Sequence, residues 1–185
     1  MAERERPVPP VTEAMRAEAR AKPGQWIYVV DPAFDPDGAV PPYGVVGAWR
    51  VDERGEITGA FRPNEHYRPS PVALGLPAPT DPLDRAVQQA ASGHGTEAEL
   101  VEALLGSEVF VFDLGTGDLY VVDDEQGPKL QVFSAEAHLP RREEFAWRRL
   151  PGREVARRVA PGADVQVNPG SPASVRIPGA HLVDD

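Results

Sequence analysis

Few residues in this chain could do chemistry, and their spacing argues against most of it. Four histidines, His66, His94, His138 and His181, could ligate a metal or act as a general base. None stands two or four residues from another and there is no HExxH pair, so a metal site would need ligands from distant segments. Asp35, Asp37 and Gly38 echo a calcium loop. Aligned on Gly38, however, the first and twelfth ligand positions are Ala33 and Gly44, and both essential carboxylates are missing. A Pro-Asp-Gly turn accounts for the same letters. Gly115 and Gly117 lack a third glycine and a following helix, so they read as a hairpin turn and not a dinucleotide loop. The chain contains no GxxxxGK phosphate loop and no GxSxG nucleophile elbow. Ser70, Ser92 and Ser171 lie in loops, and nothing beside them in sequence activates a hydroxyl. The absence of cysteine removes disulfides, thiolate zinc sites and a cysteine nucleophile together. The expectation is a protein that is not an enzyme and that carries no metal and no cofactor.

Recognition chemistry is better represented. Arg141, Arg142, Arg148, Arg149, Arg153, Arg157 and Arg158 crowd one region, while Asp113, Asp118, Asp123, Asp124 and Glu125 crowd the segment before it. Such mixed surfaces serve solubility and internal pairing, as Glu154 and Arg158 do at helical i,i+4 spacing. Arginine also favours bidentate contact with carboxylates, so the same belt could dock an acidic partner. The loop PNEHYRPSP sets Asn64, Tyr67 and Arg68 between prolines, and aromatic and arginine side chains on rigid loops suit protein recognition. Tyr67 has two readings that sequence leaves open: a contact residue, or an anchor packed beneath its own loop. The candidate protein-contact residues are Asn64, Tyr67, Arg68, Arg141, Arg142, Arg149, Arg153 and Arg157.

The elements that must position these residues are short. Residues 1–11 read as a charged, proline-rich arm. Thr12 caps a helix through TEAMRAEARAK, ended by Pro23-Gly24. WIYVVD, VVGAWRVD and EITGAFRP read as strands, the last two a hairpin, with DPAFDPDGAVPPYG as loop between the first and second. Prolines at 63, 69, 71, 77, 79 and 82 make the next stretch an extended connection. Thr80 is the expected cap of a helix carrying Leu83, Ala86, Val87 and Ala90 inward, stopped by Gly93. Thr96 and Glu99 form a capping-box pattern ahead of LVEALLG, where Gly106 occupies the position of a C′ glycine. EVFVFDL, LYVVDD and KLQVF are strands joined by glycine turns. After a helical stretch at 135–139, FAWRRL is a strand, GREVARRVA a helix with Val155 and Val159 inward, and ADVQVN and SVRIP are short extended pieces.

Those elements describe an α+β fold, with antiparallel hairpins packed against short helices, as one unit or as two similar fused halves. The expected divisions are an arm at 1–11, an N-terminal α/β unit with the proline-rich loop at 12–93, and a second unit at 94–185. Twenty-one prolines and 17 glycines fit short elements joined by rigid turns better than a helix bundle. A net charge of −10 argues against a nucleic-acid partner, which needs a concentrated basic face. No apolar run approaches a membrane span of roughly 18 residues, and the N-terminus lacks the apolar core of a secretory signal. The expected location is the cytoplasm. Nothing in the sequence sets an oligomeric state.

Four stretches carry a resemblance: PGQWIYVVDPAFDPDGAVPPYGVVGAWRVDERGEI, FRPNEHYRPSPVALGLPAPTDPLDRAVQQAASG, LVEALLGSEVFVF and VNPGSPASVRIP. Through them the chain resembles actinobacterial proteins associated with type VII secretion, and its second half is similar to the SseB N-terminal domain. PAFDP, YRPSP and NPGSP are the most distinctive runs. Phe133-Ser134 keeps a step common in SseB-like domains, whereas VFVFDLGTGDLYVVDDEQGPKL is poorer in proline and glycine than that pattern. The resemblance implies a bacterial accessory or adaptor protein whose partners are secretion components or substrates, and it transfers no catalytic residue. The alternative is a small ligand-binding domain or enzyme with a site between its two halves.

Overall fold

A computed structural model describes residues 8–141 and 146–182. The fold is α+β, and the chain divides into two compact units, Met1–Leu74 and Gly75–Asp185.

The first unit holds helix α1 (Glu13–Ala21) and strands β1 (Trp26–Val30), β2 (Val45–Val51) and β3 (Ile57–Pro63) in an antiparallel sheet of order β1-β2-β3. Thr12 caps α1 by accepting from the Met15 amide, which satisfies one of the first-turn N–H groups that a helix leaves unpaired. Alternation along β1 sends Ile27 inward, where it packs with Ala19 and Met15 of α1 and with Val51 and Ile57. Trp26 and Tyr28 therefore point to the opposite face and stay open to solvent, Tyr28 at 65%.

The second unit contains α2 (Pro82–Ala91), α3 (Glu97–Leu105), β4 (Glu108–Phe112), β5 (Val121–Asp124), β6 (Gly127–Phe133), β7 (Trp147–Pro151), α4 (Gly152–Arg158), β8 (Asp164–Val167) and β9 (Val175–Ile177). Its sheet runs β7-β4-β6-β8-β9, with β5 also paired to β6. Leu130 lies between Val121 of β5 and Val165 of β8, and Val132 between Val111 of β4 and Val167 of β8, so β4 and β5 share one edge of β6. The β6–β8 pairing is parallel and the others are antiparallel. A parallel pair needs a crossover, which β7 and α4 supply. One face of the sheet is helix-covered: Val109, Val111, Leu130, Val132, Val165, Val167 and Ile177 join Leu83 and Val87 of α2, Leu100 and Leu104 of α3 and Val155 of α4 in one core.

Several expectations change in detail. Asp81, not Thr80, caps α2: its carboxylate accepts from the Asp84 amide at 2.9 Å, while the Thr80 amide donates to Asp84 Oδ2. Helix α2 belongs with the second unit, because Leu83 and Val87 are buried in that unit's core, although sequence places 82–93 with the first half. Gly106 caps α3 at φ −84°, an ordinary right-handed conformation. Val159 is the C-cap residue of α4 and, though half-buried, packs inward against the core as expected. The two units do not repeat one topology, since the first is a pure antiparallel meander and the second encloses a parallel pair.

Candidate functional site

In the first unit the proline-rich loop is tied to the end of β1 by one carboxylate. Asp31 is fully buried and accepts from the Ser70 hydroxyl at 2.6 Å, the Ser70 amide at 2.9 Å, the Tyr67 hydroxyl at 2.8 Å and the Ala33 amide at 2.9 Å. Burial raises the pKa of this carboxyl, but the bonds from Ser70, Ala33 and Tyr67 outweigh it and hold the group below its ordinary value. Asn64 donates to the carbonyls of Pro42 at 2.8 Å and Val45 at 2.7 Å, and its own oxygen accepts from the His66 amide. Asn64 and Tyr67 thus brace the loop, while Arg68 is exposed and its amide donates to the Tyr43 carbonyl. Beside the loop a groove of about 640 Å³ runs over Ala48, between Trp26 and Tyr28 on one wall and Arg62 and His66 on the other. Trp26 stacks under the Arg50 guanidinium at 5.6 Å. Of these groove residues sequence reading names only His66, as a possible metal ligand or base, although Trp26 and Tyr28 at i,i+2 already share a face.

In the second unit the arginines divide into paired and unpaired. Arg148 and Arg158 both donate to the Gly117 carbonyl, and Arg158 also pairs with Glu154. Arg149 pairs with Glu108 at 3.4 Å and lies over the Phe110 ring at 5.4 Å. Arg141 is exposed, and Arg142 lies outside the described residues. Arg153 and Arg157, one turn apart on α4, are exposed and have no ion pair or hydrogen bond among the described residues. Both line a groove of about 940 Å³ formed by α4, the end of α3 and the 3-10 turn at Gly179–His181, with Leu105 and Val159 as apolar lining. A second groove of about 650 Å³ along α3 shares Leu105 and Arg153 with the first and adds Val101 and Glu102. Its other carboxylate, Glu97, is engaged by a hydrogen bond with His181 Nδ1.

A third constellation escaped the sequence because its parts are far apart in the chain. At the C-terminal ends of parallel β6 and β8, Ser134 and Asn168 meet the start of α2. Asn168 is fully buried at φ 52°, accepts from the Ser134 amide at 2.8 Å and donates to the Ser134 hydroxyl at 3.1 Å and to Asp84 Oδ1 at 3.4 Å. His138 bridges the cluster: its Nδ1 is 2.9 Å from the Ser171 hydroxyl, and its Nε2 is 3.1 Å from the Thr80 hydroxyl and 3.5 Å from Asp84 Oδ2. Burial raises the pKa of neighbouring Asp81, but bonds from the Asp84 amide and the Thr80 and Ser134 hydroxyls hold it below the usual aspartate value. His66 and His94 join no group of three metal-ligating residues, and none exists among the described residues. No helix among them is long and apolar enough to cross a membrane.

A family model described as the SseB protein N-terminal domain matches residues 83–183. It begins inside α2 and therefore spans α3, the whole six-stranded sheet and α4. No curated protein and no solved structure matches the chain.

Proposed function

The chain belongs to the SseB protein N-terminal domain family through residues 83–183, and we propose that it is a non-enzymatic accessory protein that binds other proteins in type VII secretion. It acts in the cytoplasm as an adaptor for secretion components or their substrates, with no nucleic-acid partner. The observation that carries the protein-binding part is the pair of guanidiniums, Arg153 and Arg157, that have no partner among the described residues and stand at the rim of an apolar groove. Arg149 and Arg158, by contrast, each pair with a carboxylate. Arg153 and Arg157, one turn apart beside apolar surface and without a carboxylate partner among the described residues, have the composition of a recognition patch. The link to secretion rests on the resemblance of PAFDP, YRPSP and their flanks. The test is affinity capture from the native host with the full chain as bait. Recovery of a secretion component or substrate supports the reading, and capture of neither at bait levels that saturate the resin sinks it.

The line Asp84–His138–Ser171 favours a second reading, in which Ser171 is a nucleophile for acyl groups. Asp84 also accepts from Thr80 and Gln88, and Asn168 ties it to Ser134, so the cluster serves first to join strand ends to α2. A fluorophosphonate probe that labels the native chain but not Ser171→Ala would establish the catalytic reading; an unlabelled native chain removes it.

A further inference from the structure

We infer that the joined grooves along α3 and α4 accept an amphipathic α-helix from a partner protein, one carrying carboxylates four residues apart; this rests on the protein-binding reading above. The walls are α3, α4, the segment 160–164 that leads into β8, and the Gly179–His181 turn; β8 is paired on both sides, so these offer no free strand edge. An extended peptide laid there would leave its own N–H and C=O groups without partners, whereas a helix satisfies them internally. The lining supplies Val101, Leu105 and Val159, half-buried side chains at the margin of the core, against which an apolar stripe can pack. Arg153 and Arg157 stand one turn apart on α4, which is also the separation of two carboxylates at i and i+4 on a facing helix. Charge complementarity sets the sign. On a chain of net charge −10 these two guanidiniums form a local positive site; of the carboxylates lining the grooves, Asp164 pairs with Arg176 and Glu97 with His181, and Glu102 has no partner among the described residues. The exposed ion pairs are individually weak, so the apolar stripe supplies affinity while the arginines set orientation and exclude basic helices.

The probe is a synthetic amphipathic peptide of about 18 residues, roughly five helical turns, with a leucine stripe and glutamates four apart. Three controls accompany it: lysine for glutamate, serine for leucine, and a proline-interrupted version. Each is titrated by fluorescence anisotropy against the full native chain and against R153E/R157E. Both arginines are exposed and without a partner among the described residues, so this variant should fold; R153A/R157A serves if it does not. The glutamate peptide should bind the native chain, bind the double variant about tenfold more weakly, and lose affinity as salt rises. The lysine peptide should reverse that preference. The inference is overturned by equal binding of the glutamate peptide to both proteins, or by no binding to the native chain. Equal binding of the proline-interrupted peptide overturns it in favour of an extended partner. A native dimer that R153E/R157E dissolves overturns it in favour of a second copy. Host capture separates this from the broader reading: secretion partners recovered equally by native and variant baits sink the groove and leave the adaptor standing, whereas peptide binding without any secretion partner does the reverse.

Discussion

Asp31 shows how one buried carboxylate can organise a loop that sequence reads as recognition material. Four donors converge on it from three residues beyond β1, two of them in YRPSP. Replacing it with Asn turns an acceptor toward those donors into an amide and should cost about 3 kcal/mol, measured as a lower urea midpoint in Trp26 and Trp49 fluorescence. The sign of its pH dependence follows from the lowered pKa. The contribution is complete above the ordinary value of 3.8 and drains as pH falls through the lower folded value. Native protein should therefore lose stability below about pH 4, and Asp31→Asn should lose less over the same range. Asn168 makes a parallel case in the second unit, since Asn168→Ala strips the Ser134 amide of its acceptor and leaves alanine in left-handed backbone. A loss of about 2–3 kcal/mol is expected, read from Trp147 emission. Neither role was legible in sequence. Tyr67 and Ser70 reach Asp31 from 36 and 39 positions away, and no local pattern records such a bond.

Local physics made most elements legible, and the capping box at Thr96 and Glu99 appears as read, with both reciprocal bonds. What could not be read was how elements abut. The start of α4 lies so close to the end of α3 that a Cβ at Gly152 would stand 1.8 Å from the Leu104 carbonyl oxygen. The Gly152 amide also donates to Ser107 at 2.8 Å. Gly152→Ala must push the two helices apart and should cost about 3 kcal/mol or more, seen as a depressed thermal midpoint. It should also weaken any ligand of the groove, because Arg153 follows directly. Thr96→Ala, by contrast, removes a cap at an exposed end and should cost about 1 kcal/mol. Sequence shows α4 as a helix with Val155 inward. It does not show that its arginines at 153 and 157 are the ones without a partner among the described residues, because Gly117, the acceptor that occupies Arg148 and Arg158, comes from a turn distant in the chain.

Across the whole molecule the family match and the compact second unit nearly coincide, at 83–183 and Gly75–Asp185. The second unit has its own core, and the connection before α2 exposes Val72 and Leu74. Brief thermolysin treatment should cut near Leu74 and leave a fragment that unfolds cooperatively. A fragment without a thermal transition would mean that this core does not stand alone. Strand order was the least legible feature, because each strand's own letters predict a strand but not its neighbour. The parallel pairing of β6 with β8 has a consequence in time as well as in space. That ladder cannot close until the long connection between its strands, with β7 and α4 in it, has found its place, whereas the β5–β6 hairpin needs only a tight turn. Helix α4 lies inside this late-closing segment, so the arginine groove should be among the last surfaces a newly made chain completes. A partner that reads it would then distinguish finished molecules from those still folding.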